Sequence, residues 1–188
     1  MAADQISVAG CSVELMRGDI TLMAVDAIVN AANSALAGGG GVDGAIHAAG
    51  GPVLMRELGQ YDGCATGQAV VTSAGRLPAK YVLHAVGPVY RGGSYGEAEL
   101  LASCYTVALK LAAELDCESI SFPSISTGIY GYPIADAAAV AFDAIIAALP
   151  SCDSIRTVKL VQFNEAGCLV YRKLMNNFIA QRAAAQTS

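Results

Sequence analysis

Apolar residues along this chain fall into two kinds of run. Short runs rich in β-branched and aromatic residues cover Ser12 to Arg17, Ala27 to Ala31, Ala69 to Ser73, Tyr81 to Val86, Ser119 to Phe122 and Thr157 to Gln162. Each is predicted as a strand. Other stretches carry helical spacing, the clearest from Glu97 to Leu115, with Leu100, Cys104, Ala108, Leu111 and Leu115 on one face. Val42 to Ala49, Ala135 to Leu149 and Glu165 to Arg182 read as further helices. Runs such as Tyr81 to Val86 do not alternate strictly, as expected of a sheet covered on both faces. Strands alternating with helices in the second half imply parallel crossovers. The predicted fold is α/β: a three-layer α/β/α sandwich with a mixed, largely parallel central sheet. No repeat, long linker or low-complexity tract interrupts the chain, so a single domain is expected over 1–188. Its core should run from about residue 12 to 182, followed by a short frayed tail from Ala183 to Ser188.

Composition narrows the function classes. A chain of 188 residues can bury roughly 70 % of its unfolded surface. With 54 % hydrophobic and 14 % charged residues, against a usual charged share of about 25 %, it is neither a disordered tail nor a charged coiled coil. A net charge of −5 and the lack of a Lys/Arg cluster argue against duplex DNA or RNA as a partner. An anionic ligand would have to be small and held locally. The most apolar stretch, Ala137 to Leu149, is interrupted by Asp143 and falls short of the roughly 20 residues of a membrane span. The first five residues lack the basic and apolar regions of a secretory signal, so the expected address is cytoplasmic. Six scattered cysteines without a Cys-x-x-Cys pair, and only His47 and His84 to join them, do not make a zinc site. Reduced, structural thiols are expected.

The chemistry gathers in two glycine-bearing loops. The stretch from Asn30 to His47 leaves a strand, crosses Gly38-Gly39-Gly40-Gly41 and enters a helix. Glycines let a backbone approach a ligand closely, and unpaired N–H groups at the helix start favour an anion. A second segment repeats the form: strand Ser119 to Phe122, then Ser124-Ile125-Ser126-Thr127-Gly128-Ile129-Tyr130-Gly131-Tyr132, then Pro133 opening a helix. Two such cradles at neighbouring strand ends suit a diphosphate. Gly39 to Gly44 also fits Gly-x-Gly-x-x-Gly, but it follows the second candidate strand, and Asp62 sits in a turn instead of ending a strand. A nicotinamide oxidoreductase is therefore disfavoured, and the lack of a Walker lysine disfavours nucleoside triphosphate hydrolysis.

Asp43 is out of place in a pure phosphate clamp, because a carboxylate there repels the ligand. It either holds a water for chemistry or complements its helix dipole. Asn33 offers a neutral amide to a ribose hydroxyl, or shapes its loop. His47, four residues beyond Asp43, can orient it or simply pack. His84, in an apolar strand, reads as a satisfied core residue. Asp19 can accept from an adenine amino group or form a turn, and Phe163 can stack on a base or join the core. Cys104 shows no activating neighbour and is not taken as a nucleophile.

Together, Gly18 to Thr21, Ala27 to Asn33, Gly38 to His47, Leu77 to Tyr81, His84 to Pro88 and Pro123 to Pro133 resemble a macro domain, over about Glu14 to Arg182. The string from Gly38 to His47 and the Ser126-Thr127-Gly128-Ile129-Tyr130-Gly131 run resemble its MacroD-type branch, which removes ADP-ribose-linked esters. The resemblance implies that Asp19 holds the adenine amino group with Ile20 beside the base, and that Phe163 stacks on the base. It places Gly40, Gly41 and Val42 in a first phosphate loop and Ser126 to Tyr130 in a second, with Tyr130 also near the distal ribose. Asn33 would bind that ribose and Asp43 would be catalytic, with His47 behind it. Glu57-Leu58 and Asn164 depart from many relatives, the first expected to touch packing, the second adenine contacts. The expected activity is hydrolysis of acyl esters on the distal ribose of ADP-ribose, free or carried on protein carboxylates, with no metal and no cofactor. The alternative is a reader that binds ADP-ribose without turnover. The Tyr90 to Gly96 loop looks flexible and is a candidate for setting specificity.

Overall fold

All six predicted strands form in the computed structural model, which describes residues 4–186, apart from the side chain of Gln186. Residues 1–3, part of the start read for an export signal, and the last two residues of the expected frayed tail lie outside these bounds. In chain order the elements are β1 (Gln5–Val8), β2 (Cys11–Arg17), β3 (Ala27–Ala32), α1 (Gly41–Gly50), α2 (Pro52–Leu58), β4 (Ala69–Ser73), β5 (Tyr81–Val86), α3 (Glu97–Glu114), β6 (Ser119–Phe122), α4 (Ile134–Ala148), β7 (Thr157–Gln162) and α5 (Glu165–Gln186). One seven-stranded sheet runs in the order β1-β2-β7-β6-β3-β5-β4. The five inner strands are parallel, and both edge strands are antiparallel to their neighbours.

Three corrections to the sequence reading follow. The sheet starts at Gln5, ahead of the expected boundary near residue 12, because Ile6 and Val8 alternate inward and pair with β2. Residues 183–186 continue α5 instead of fraying. That stretch consists of good helix formers, and Arg182 at its start donates to the Ser7 carbonyl and lies over the Phe178 ring. On α3 the buried face is Leu101, Cys104, Tyr105, Ala108, Leu109 and Ala112, with Leu100, Leu111 and Leu115 only half-buried. The helix packs on β5 and α4 at once, so its covered stripe is wider than a single row and its centre is displaced.

The two faces of the sheet differ. On one, Val13, Leu15, Ala27, Val29, Leu83 and Ala85 meet α3, α4 and α5 in a large apolar core. The apolar α4 helix is covered by α3 and α5. On the other face Ile28 and Val82 meet Ile46 of α1 and Leu54 of α2 in a smaller core. Leu58 packs with Ala32, Leu36 and Val86, so the Glu57-Leu58 departure acts in packing. Glu57 itself accepts from the Ser73 N–H and hydroxyl, both at 2.7 Å.

Candidate functional site

Because β2, β7, β6, β3 and β5 run parallel, their carboxyl ends open on one edge of the sheet, where ligands of such sheets bind. A cleft of about 580 Å³ lies there, within the usual range for ligand pockets. Gly18, Asp19 and Ile20 line it after β2, Asn33 and Gly39 to Asp43 after β3, Gly87 after β5, Pro123 to Tyr130 after β6, and Gln162 to Asn164 at the end of β7. Every sequence-selected binding residue and both catalytic candidates thus line one cleft, whereas His47 sits behind it.

The first loop is shaped by Asn33. Its Nδ2–H donates to the Gly38 carbonyl at 2.8 Å, and its Oδ1 accepts from the Ala37 N–H at 3.2 Å. Both loop-forming and ribose-binding roles remain open to it, since Nδ2 has a second hydrogen. The chain then reaches Gly40, extended, and turns at Gly41, the first residue of α1, at φ +59. That left-handed turn brings the free N–H groups of the first helical turn round to the cleft.

The second loop turns at Ser126, a non-glycine residue at φ +66. Such strain needs support. The Ser126 carbonyl accepts from Tyr132 N–H at 2.9 Å, and Thr127 Oγ1 donates to the Ser124 carbonyl at 3.0 Å. From beneath, the buried Tyr105 hydroxyl donates to the Pro123 carbonyl and accepts from Ile125 N–H, each at 3.2 Å. Replacing Tyr105 by phenylalanine leaves both groups unpaired, so stability should fall by about 1–3 kcal/mol, measurable as a lower urea midpoint. The loops approach each other closely: a Cβ on Gly40 would lie 3.9 Å from Ile129 Cδ1.

Asp43 is 5 % exposed, not turned out to bulk water. Its Oδ1 accepts from Asn30 Nδ2–H at 2.6 Å and lies 3.3 Å from His47 Nε2. Oδ2 has no partner. It lies beside Gly39, whose missing Cβ would come within 3.1 Å of Oδ2 and 3.8 Å of Asn33 Nδ2. The absence of a side chain at Gly39 keeps a space between the two catalytic candidates.

Where the cleft meets the ends of β2 and β7, Asp19 Oδ1 accepts from Thr21 N–H at 2.9 Å and Thr21 hydroxyl at 2.7 Å. Oδ2 remains for a ligand donor. Phe163 is 84 % exposed at the rim, not core, and Ile20, which is buried, also lines the cleft. Asn164 faces the cleft but its Oδ1 accepts from Gly167 N–H at 3.0 Å, capping α5.

Several residues that sequence reasoning passed over matter here. Gln162, 3 % exposed, accepts from the Ser124 hydroxyl at 2.7 Å, and its Nε2 is unpartnered. Asn30 and Thr72 join His84, which the sequence marks as a satisfied core residue, in a buried polar row on three strands. Their signal was a polar residue inside an apolar run. The Tyr90 to Gly96 loop is not slack. Glu97, 2 % exposed, accepts from the N–H groups of Arg91 at 2.9 Å, Gly93 at 3.1 Å and Tyr95 at 2.6 Å. Tyr90 N–H donates to the Tyr130 carbonyl at 2.9 Å, tying that loop to the second glycine-bearing loop.

Acid should destabilise the fold in two stages. Burial, helped by His47, pushes the His84 pKa down to about 3, so the unfolded chain takes up this proton near pH 6.5 and the folded chain does not. Stability is therefore lost as pH falls from about 6.5 toward 3. Three carboxyls join at lower pH because each is held below its usual range in the fold. Asp26 is held down by Lys80, and Glu57 by the Ser73 hydroxyl and N–H. For Glu97, burial pulls upward but the N–H groups of Tyr95 and Arg91 outweigh it. Urea midpoints should drop from pH 7 to pH 5 by an amount equivalent to about 1–2 kcal/mol, His84 being the main cause.

Comparison with known proteins places these features. Residues 29–141 match the family model described as Macro domain. A macro domain-containing protein of Chlorobaculum tepidum is 52 % identical over 163 residues, covering 87 % of this chain and 95 % of that one. A Cronobacter sakazakii protein named O-acetyl-ADP-ribose deacetylase is 48 % identical over 176 residues, covering 92 % and 98 %. Among solved structures, the Oceanobacillus iheyensis macrodomain, as a glycine-to-valine mutant with ADPR, superposes with a TM-score of 0.89 at 41 % identity, covering 94 % of this chain and 98 % of that one. With the family model spanning more than half of it and relatives this similar over most of its length, the chain belongs to the macro domain family.

Proposed function

We propose that this chain binds ADP-ribose in the cleft and hydrolyses acyl esters on its distal ribose, in O-acetyl-ADP-ribose or in ADP-ribose carried on protein Asp or Glu. The observation that carries this reading is the bare Oδ2 of Asp43, set beside Gly39 and the Asn33 amide while Oδ1 is occupied. Phe163 and Asp19 receive the adenine, the two loops take the diphosphate through N–H groups, and the ribose ends near Asn33 and Asp43. Oδ2 accepts a proton from water as the water oxygen attacks the ester carbonyl carbon. The tetrahedral adduct then collapses, the ribose oxygen leaves and takes the proton held on Asp43 Oδ2, and a carboxylic acid and ADP-ribose are released with the carboxylate restored. A relative named O-acetyl-ADP-ribose deacetylase and a neighbour solved with ADPR support the substrate class. Six free thiols favour a reducing, cytoplasmic setting.

The burial of Oδ2 gives a second reading its argument. An oxygen closed off from water suits a reader that binds ADP-ribose without turnover. Calorimetry with ADP-ribose, run beside an acetate-release assay on O-acetyl-ADP-ribose, separates the two. Binding with multiple turnovers supports the hydrolase; binding with no acetate released establishes the reader; no binding defeats both.

A further inference from the structure

One polar row runs through the smaller, mostly apolar core. Asn30 on β3 and His84 on β5 are direct register partners, and Thr72 on β4 lies diagonally beside His84. All three are buried, at 0 %, 0 % and 3 % exposure, under α1. Asn30 Nδ2 lies 3.1 Å from His84 Nδ1, and His84 Nε2 lies 2.9 Å from Thr72 Oγ1, which donates to the Ser73 carbonyl at 2.9 Å. An amide nitrogen only donates, so His84 Nδ1 must accept and the ring proton must sit on Nε2. The row then reads in one direction. Asn30 gives one N–H to Asp43 Oδ1 and the other to His84; His84 gives Nε2–H to Thr72; Thr72 gives its proton to the main chain.

The direction has a consequence for Asp43. Asn30 Oδ1 is buried and has no partner, so nothing on the oxygen side fixes the amide. Its orientation is set from the nitrogen side, by Asp43 and His84 together. Turned over, the amide would aim its oxygen at the Asp43 carboxylate and at the His84 lone pair, both of which repel it. His84 with its proton on Nδ1, or doubly protonated, would compete for the same space with a donor. The other groups near His84 are His47, whose ring centroid is 5.8 Å away, and Asp43 itself, reached through Asn30. Burial keeps the His84 ring uncharged, with a pKa of about 3.

We propose that His84, locked in its Nε2–H form by Thr72, is a positioning residue for Asp43: it orients the Asn30 amide that occupies Oδ1 and thereby keeps Oδ2 unpaired on the side of Gly39 and the Asn33 amide. This inference rests on the hydrolase reading above. His84 touches no ligand-lining loop directly, so its effect falls on turnover and not on ADP-ribose affinity.

The test combines kinetics with a variant-free measurement. His84→Phe keeps a ring but removes the acceptor; kcat for acetate release should fall more than about tenfold while the ADP-ribose Kd stays within about twofold. His84→Asn returns an acceptor near the Nδ1 position and should recover kcat to within about threefold of the parent. In the unaltered protein, two-bond ¹H–¹⁵N correlations should show His84 protonated on Nε2. A parent-like kcat in His84→Phe, a Kd that worsens in step with kcat, no recovery in His84→Asn, or an Nδ1–H tautomer would each overturn the inference. The NMR result stands whether or not the variants fold. Asp43→Asn in the same assay separates the two levels. If it is inactive while His84→Phe is parent-like, only the positioning role fails; if it turns over at the parent rate, Asp43 is not the proton acceptor and the inference falls with it; if the unaltered protein binds ADP-ribose but releases no acetate, the hydrolase reading itself fails.

Discussion

Asp43→Asn should lower single-turnover hydrolysis of O-acetyl-ADP-ribose by about 100-fold or more, the usual scale for losing a positioned proton acceptor, while ADP-ribose binding is retained. The substitution is close to isosteric. Its side-chain oxygen can still accept from Asn30 Nδ2–H, now found at 2.6 Å from Oδ1, so the local packing should persist. What disappears is the negative, unpaired Oδ2. A carboxylate close to a diphosphate also repels it, so the variant should bind ADP-ribose as tightly as the parent or up to about tenfold more tightly. Parallel loss of affinity and rate would instead mark Asp43 as part of the binding surface. An unchanged rate would remove it from the reaction.

The second large effect is expected at Gly87, which entered the sequence reading only within the His84 to Pro88 stretch and was given no role of its own. A Cβ there would collide with Ser126 Oγ and lie 2.5 Å from Ile125 Cγ2. Both belong to the loop that turns at the left-handed Ser126 and is held by Tyr105 and Tyr132. A packed loop of this kind has no slack to absorb a methyl group. Gly87→Ala should therefore displace the second phosphate loop and weaken ADP-ribose binding by about tenfold or more, close to 1.4 kcal/mol. Gly128 is the matched control, since a Cβ there meets nothing within 4 Å. Gly128→Ala should leave the urea midpoint unchanged, whereas Gly87→Ala lowers it. Equal midpoints and equal affinities for Gly87→Ala and the parent would show that the loop yields without cost.

The limits of the sequence pattern follow from what a linear string encodes. β5 was legible because Tyr81 to Val86 is a run with no polar break except His84. α1 and the first loop were legible because four glycines and a helix start sit next to each other in the chain. The corrected α3 face was not, since its covered stripe depends on two packing partners that come from elsewhere. Similarly, Asp43 was recognised as anomalous from its own surroundings, but Asn30, His84 and Thr72 lie far apart in sequence. Only the register of β3, β5 and β4 makes them neighbours. His84 was read as a satisfied core residue, and its two polar contacts bear that out. Asn164, a departure from relatives expected to touch adenine contacts, lines the cleft while its Oδ1 accepts from Gly167 N–H at the start of α5, a contact that no local pattern announced.

The way Glu97 grips its neighbours has a further implication for how this rim can diversify. The carboxylate meets only main-chain N–H groups at positions 91, 93 and 95, and every amino acid except proline supplies those. Arg91, Ser94 and Tyr95 are exposed and can therefore be exchanged without redrawing the path of the chain. Scaffold and wording are thus independent in this loop, which Tyr90 ties to the Tyr130 carbonyl. New side chains can be tried there while one buried acid, on a different element, keeps the frame in place.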